Sequence, residues 1–197
     1  MNAQGVDKGR RRVLVAATSV VGAIGAGFAA VPFISSMNPS AKARAAGAPV
    51  QADVSKLEPG ALLRVKWRGQ PIWVVHRTAD MLEALPTLDP KLVDPASEVP
   101  QQPEYCQNAT RSINPTYFVA IGICTHLGCS PTYRPELAPD DLGAEWKGGW
   151  FCPCHGSKFD LAGRVFKGVP APTNLVIPKH TYLNDTTILV GEDNGAA

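Results

Sequence analysis

Four of the five cysteines fall in two short segments that also hold two of the four histidines. The first reads Cys124-Thr125-His126-Leu127-Gly128-Cys129 and the second Cys152-Pro153-Cys154-His155-Gly156-Ser157. Thiolates and imidazoles bind soft and borderline transition metals, and each segment sets a Gly beside its candidate ligands. Cys124/His126 and Cys152/His155 give C-x-H and C-x-x-H pairs able to clamp a metal centre from two facing loops. Cys129 and Cys154 remain as a second matched pair, one per loop, which in an exported protein could form a disulfide. A zinc site with two Cys and two His is open to the same residues. Zinc sites, however, usually pair like with like in their spacing. Here each loop gives one Cys and one His plus a spare Cys. That alternation lets each loop reach both irons of a binuclear cluster with two thiolates on one iron and two imidazoles on the other. Two ordinary disulfides would leave the paired histidines unexplained.

Each ligand segment follows a stretch that reads as a strand: YFVAIGI before Cys124 and GGWFC into Cys152. LVIP and TTILVG are further expected strands, and short strands between turns fit stacked antiparallel sheets. Upstream, residues 62–67 and 71–76 flank Arg68-Gly69-Gln70 and read as a β-hairpin. Residues 78–85 read as a short helix with Thr78 as N-cap. Residues 86–115 are Pro-punctuated and irregular, an excursion lying over the head. The tail GEDNGAA is expected to fray. With 18 Gly and 18 Pro in 197 residues, a helical bundle or coiled coil is disfavoured and a loop-rich, mainly β protein expected. The apolar fraction, 45%, is too high for a disordered chain.

The net charge of +2 hides an asymmetry. Residues 1–44 carry six basic residues (Lys8, Arg10, Arg11, Arg12, Lys42, Arg44) and one acid, Asp7, while the rest carry 13 basic and 16 acidic residues. A nucleic-acid binder would place its positive charge on the folded domain, so that class is excluded. Residues 13–34 form 22 uncharged positions, about 33 Å as a helix against a hydrocarbon core of roughly 30 Å. Basic residues precede it more heavily than they follow it, which puts residues 1–12 in the cytoplasm and the head outside. A cleaved signal peptide is the alternative, with AKARAAGA as a small-residue cleavage region. The length of the apolar run favours a retained anchor. Arg10-Arg11-Arg12-Val13-Leu14 also holds a twin-arginine pair, an address for export of a folded chain. Residues 35–60 lack hydrophobic periodicity and read as a flexible linker to a head at 61–197, with a cluster-binding subdomain at about 123–172.

CTHLGC followed by CPCHGS resembles the motif of the Rieske 2Fe–2S proteins and, more narrowly, of the iron–sulfur subunits of bacterial cytochrome bc complexes. The resemblance covers about residues 116–178. It implies a Rieske-type fold of stacked antiparallel sheets with a small cluster-binding subdomain and one N-terminal transmembrane helix. It also implies that Cys124 and Cys152 ligate the inner iron of one 2Fe–2S cluster, that His126 and His155 ligate the outer iron, and that Cys129 and Cys154 form a disulfide. Gly168-Val169-Pro170-Ala171-Pro172 is similar to the family's proline-rich loop covering the cluster, and Leu127 would shield the docking tip. Where many respiratory members read H-G-S-x-Y, this chain has His155-Gly156-Ser157-Lys158-Phe159. Ser157 is kept as a hydrogen-bond donor to the cluster, and Phe159 replaces the tyrosine hydroxyl. Losing that hydrogen bond should lower the reduction potential.

By the same resemblance the protein would oxidise ubiquinol in a cytochrome b pocket and pass the electron to a c-type cytochrome, within a dimeric complex in the bacterial inner membrane. His155 would meet the quinol hydroxyl, with His126 a tuning ligand. A metal-bound imidazole is more acidic when the iron is oxidised, so an exposed ligand can take up proton and electron together. The weighed alternatives are the Rieske subunit of another exported oxidoreductase such as an arsenite-oxidase-like enzyme, a Rieske dioxygenase component and a zinc-binding module. His76 and His180 are expected at the surface, Cys106 as a partly buried free thiol, and Trp67, Trp73, Trp146 and Trp150 in packing. Asn108-Ala109-Thr110 fits a glycosylation acceptor by coincidence.

Overall fold

The computed structural model describes residues 5 and 7–193 and divides the chain into two compact units, residues 1–45 and 46–197. Part of the basic arm and the end of the expected frayed tail lie outside the described residues. The first unit is dominated by α1 (Lys8–Ser36), capped by the Asp7 carboxylate, which accepts from the backbone N–H of Gly9 and Arg10. This helix is long and apolar enough to cross a membrane, has Pro32 inside it, and buries none of its residues. It extends several residues beyond the uncharged run on its N-terminal side, so the arginine triplet is helical. A short helix follows, α2 (Ala41–Gly47).

Among the described residues, the second unit holds nine strands in three three-stranded antiparallel sheets. β1 (Val50–Asp53), β9 (Thr187–Val190) and β8 (His180–Asn184) form the first sheet. β2 (Leu62–Trp67), β3 (Gln70–His76) and β4 (Tyr117–Ile121) form the second. β5 (Thr132–Arg134), β6 (Gly149–Phe151) and β7 (Lys158–Phe159) form the third. The second sheet is the middle layer. Ile72, Val74 and Val119 share one apolar core with Ala52, Ile188 and Val190 of the first sheet. Trp73, Val75, Phe118 and Ala120 enter the other core with Trp150, Phe159 and two cysteines, Cys124 and Cys152. Burial on both faces explains why β3 reads as a continuous apolar run and not an alternating one. Trp73 stacks parallel on Trp150, ring centroids 5.5 Å apart. A Cβ at position 122 would overlap the Trp73 indole, so Gly122 at the exit of β4 admits that close packing.

The hairpin and the Thr78-capped helix, α3 (Ala79–Ala84), match the sequence expectation. Residues 86–115 contain only two short 3₁₀ segments, Leu85–Lys91 and Glu104–Cys106. Three expectations need correction. The linker does not run to residue 60, because residues 50–53 alternate in burial and pair with β9 as a true strand. The expected strand LVIP is extended but unpaired as a ladder. Leu175 donates to Gly163, Val176 accepts from Ile121 and Ile177 donates to Gln101, so its hydrogen bonds go to three different segments. His180 is fully buried, not at the surface, and His76 is half-buried with Nδ1 2.6 Å from the Leu57 carbonyl. Cys106 is wholly buried as a free thiol. Trp73, Trp146 and Trp150 are buried in packing, and Trp67 is half-buried.

Candidate metal centre

The two ligand segments fold into matching turns. In the first, Gly128 donates its N–H to the Cys124 carbonyl at 3.1 Å, and Cys124 donates to the Cys129 carbonyl at 2.7 Å. In the second, Gly156 donates to Cys152 and Cys152 donates to Ser157, both at 2.8 Å. Each turn thus closes from its first cysteine to the fifth residue beyond it. Each has Gly at the fourth place, with φ of 84° at Gly128 and 76° at Gly156, a left-handed conformation that a side chain would strain. The unequal C-x-H and C-x-x-H spacings hide this common frame, which is legible only from the glycines.

The turns hold their donors in two layers. Cys124 and Cys152 are buried and their thiols interact, within the core that contains Trp150 and Phe159. Burial pushes the Cys152 thiol above its ordinary pKa, and the neighbouring Cys124 adds to the shift, against backbone N–H groups of Cys154 and His155 that favour the thiolate. His126 is half-buried and His155 exposed, their rings edge-to-face with centroids 4.8 Å apart. Cys129 and Cys154 form a disulfide that ties the turns together. The sulfurs of Cys129, Cys152 and Cys154 lie within 4.8 Å of one another, but two are consumed by that bond and cannot serve as thiolate ligands. The available donors are two buried thiols and two outward imidazoles, one of each from each turn. This set fits a binuclear iron–sulfur group with mixed sulfur and nitrogen ligation.

A third segment closes over the turns. The Ser157 hydroxyl, fully buried, accepts from the Ala171 N–H at 3.1 Å, which leaves its own proton for another acceptor. Thr125 Oγ1 donates to the Thr173 carbonyl at 2.7 Å, and Val169 packs against the core that holds Cys124 and Cys152. Gly168 turns with φ of 73°, Ala171 is buried, and Pro170 and Pro172 face solvent. Leu127 is 71% exposed at the tip of the first turn. Phe159 is fully buried and pairs with Trp150 in β7.

The residues behind the second turn carried no obvious signal. Arg77, Arg111 and Arg164 are all buried. Arg77 donates to the carbonyls of Thr110, Pro115 and Leu161 and to the Ser112 hydroxyl. Arg111 donates to Ala162, Gly163, Leu175 and the Gln102 side chain. Arg164 pairs with buried Asp160 and half-exposed Asp89, both at 2.8 Å. The three guanidiniums pin residues 160–164 to the irregular excursion. The D-x-x-x-R spacing of Asp160 and Arg164, just past the CPCHGS segment, was the one available hint.

The profile of the Rieske [2Fe-2S] domain matches residues 91–181, and a profile described as "Ubiquitinol-cytochrome C reductase Fe-S subunit TAT signal" matches residues 1–40. The ubiquinol-cytochrome c reductase iron-sulfur subunit of Allochromatium vinosum is 80% identical over 197 residues, covering all of this chain and 95% of that protein. The protein of the same name from Blastochloris viridis is 42% identical, covering 92% of each. A solved structure titled "Hyperthermophilic respiratory Complex III" aligns over 90% of this chain and 98% of the matched one, at 25% identity and a TM-score of 0.49. The domain match names the cofactor as one 2Fe–2S cluster, which agrees with the donor set of the two turns. The N-terminal match and the apolar helix fit an exported, membrane-anchored protein. Identity on that scale along the whole chain leaves one assignment: the chain belongs to the family of Rieske iron–sulfur subunits of ubiquinol–cytochrome c reductase.

Proposed function

We propose that this chain is the electron-transfer subunit of a cytochrome bc complex, taking one electron from ubiquinol and passing it to a c-type cytochrome. One observation carries the reading: each turn supplies one buried thiol and one outward imidazole, so the donors are sorted by depth. Cys124 and Cys152 would hold the cluster from its buried side and His126 and His155 from its more exposed side. When bound, the cluster supplies a one-electron acceptor whose potential is raised by imidazole ligation. His155 is the more exposed imidazole, and its nitrogen that does not bind iron accepts the hydrogen bond, and then the proton, of the quinol hydroxyl. His126 tunes the site. Leu127 and the exposed prolines of the covering segment exclude water from the face that meets cytochrome b.

The disulfide and the Thr125 and Ser157 hydrogen bonds hold the three segments in fixed relation, so the site is rigid while the head moves on its tether. The tether is shorter than the sequence suggests, since the head begins at the β1 strand. The basic residues at the start of α1 keep that end in the cytoplasm and place the head in the periplasm, and a dimeric complex is the expected assembly. Low-temperature EPR of the dithionite-reduced, detergent-purified protein tests the reading. A Rieske-type rhombic signal with two irons and two acid-labile sulfides per chain is expected, lost in His155→Ala. A silent, zinc-containing sample would overturn it.

A further inference from the structure

The position of Cys152 has a chemical consequence separate from electron transfer. It is a free thiol, and its sulfur lies within 4.8 Å of both sulfurs of the Cys129–Cys154 disulfide. Thiol–disulfide exchange needs only a thiolate that can reach a disulfide sulfur, with no external oxidant. We propose that Cys152 is an internal nucleophile toward this disulfide, blocked while it ligates iron, so that loss of the cluster moves the crosslink to Cys129–Cys152. The inference rests on the reading that Cys152 is a ligand.

The step balances without a co-reactant. Cys152 Sγ gives up its proton to water and attacks Cys129 Sγ. The new Cys129–Cys152 bond forms as the Cys129–Cys154 bond breaks, and the electron pair leaves on Cys154 Sγ, which takes a proton from solvent. The burial pattern selects the sulfur attacked. Cys154 is exposed while Cys129 is half-buried, so the departing thiolate is better stabilised by water at Cys154 than at Cys129. Iron ligation removes the free electron pair that attack requires, and exchange outside a catalyst runs over minutes to hours.

Two consequences follow for this chain. Once exchanged, the site has lost a ligand and can be reloaded only when the reverse exchange, attack of Cys154 on the Cys129–Cys152 bond, or a reductant frees Cys152. A disulfide closed before the cluster is in place is likewise open to attack, so loading must come before oxidation. That order agrees with the signal matched at residues 1–40, which would carry the chain out of a reducing compartment after folding.

The test uses the full-length, cluster-loaded protein in detergent, with loading first verified by EPR. The cluster is stripped with an iron chelator under anaerobic conditions, free thiols are trapped with N-ethylmaleimide, and the linkages are read by peptide mass mapping. Before stripping, the Cys129–Cys154 linkage and an unlabelled Cys154 are expected. After stripping, Cys129–Cys152 should become the major linkage and Cys154 labelling should rise from background to the majority of chains. Iron and sulfide should then restore the EPR signal faster with a thiol reductant than without one. Cys124→Ser, which also lacks a ligand but keeps the nucleophile, should exchange; Cys152→Ser should not. Stripped wild-type protein that keeps Cys129–Cys154 with Cys152 labelled overturns the proposal, and a Cys152–Cys154 linkage overturns the assigned point of attack. If the starting protein holds no cluster, the ligand reading fails instead, and the same map of the cluster-free chain still decides the exchange.

Discussion

The middle β2–β3–β4 sheet and the segment of residues 152–175 each bury a continuous run, Ile72–Val75 in one and Phe159–Val165 in the other, yet they are held by opposite means. In the sheet, backbone ladders satisfy the polar groups, and Ile72, Trp73, Val74 and Val75 fill the cores on its two faces. In the segment, regular pairing is limited to the short β6–β7 ladder and two isolated bridges. Four of its carbonyls, those of Leu161, Ala162, Gly163 and Leu175, accept from guanidiniums that arrive from 51 to 84 residues away. Burial, with a smaller push from the charge of Arg164, pulls the Arg77 and Arg111 guanidiniums down to about 10, with nearby Asp160 opposing the shift. A charge so placed is tolerated because nearly every N–H meets a carbonyl or side-chain oxygen. The contrast teaches that a loop carrying candidate metal ligands can be fixed without strands, provided long polar side chains replace the missing ladder.

Removing one such side chain should therefore cost more than trimming the sheet. Arg164→Met leaves Asp160 buried and unpaired, for which about 3–5 kcal/mol of destabilisation is expected. Ile72→Val in the middle sheet should cost about 0.5–1.5 kcal/mol. Chemical denaturation of the two purified variants compares them directly. Equal losses would break the contrast, because they would mean that the arginines merely fill space.

A smaller effect lies where a polar group interrupts the sheet architecture. His180 opens β8 with its ring fully buried, Nδ1 2.9 Å from the Pro178 carbonyl, and Nε2 without a hydrogen-bond partner. Burial lowers its pKa, opposed by that backbone contact. The folded protein therefore keeps His180 neutral, while the unfolded chain takes up a proton as pH falls below about 6.5. Stability from this group is complete above that value. It declines as pH falls from there toward the lower folded-state pKa, by at most about 1.4 kcal/mol per pH unit. His180→Asn keeps a donor near Pro178 and removes the titration. Denaturation midpoints at about pH 7.5 and about pH 5.5, on either side of the ordinary imidazole value of about 6.5, should differ less in the variant than in the parent. An unchanged difference would assign the pH dependence elsewhere.

The same contrast explains what could be read from the sequence. The hairpin, the Thr78 cap and β4 were legible because short runs of β-branched and aromatic residues, turn residues and caps are local signals. The metal-ligand candidates were legible because Cys and His are chemically conspicuous at short spacing. Residues 175–178 read as a strand because they are apolar, but apolarity does not say whether their backbone meets one partner or three. β8 was missed because HTYLN has little apolar character, its partner coming only across the turn to β9. The arginine framework was invisible for a different reason. Arginine is rarely buried, and its partners here are backbone carbonyls, which every residue possesses.

The smallest effect expected bears on the site itself and hardly on stability. Phe159 is fully buried, fixed by its backbone pairing with Trp150 and a bridge to Val165, and shares a core with Cys124 and Cys152. A hydroxyl introduced there by Phe159→Tyr must find an acceptor or remain unpaired, and cysteine sulfurs lie in the same core. Reduction adds negative charge at those sulfurs, so a hydrogen bond to them favours the reduced state. Phe159→Tyr should raise the midpoint potential in a redox titration followed by EPR. Ser157→Ala should lower it, because the Ser157 hydroxyl accepts from Ala171 and has its own proton free to donate. A Phe159→Tyr potential at or below the parent's would mean that the core around Cys124 and Cys152 closes off the sulfurs from position 159, and that Ser157, not position 159, tunes the site.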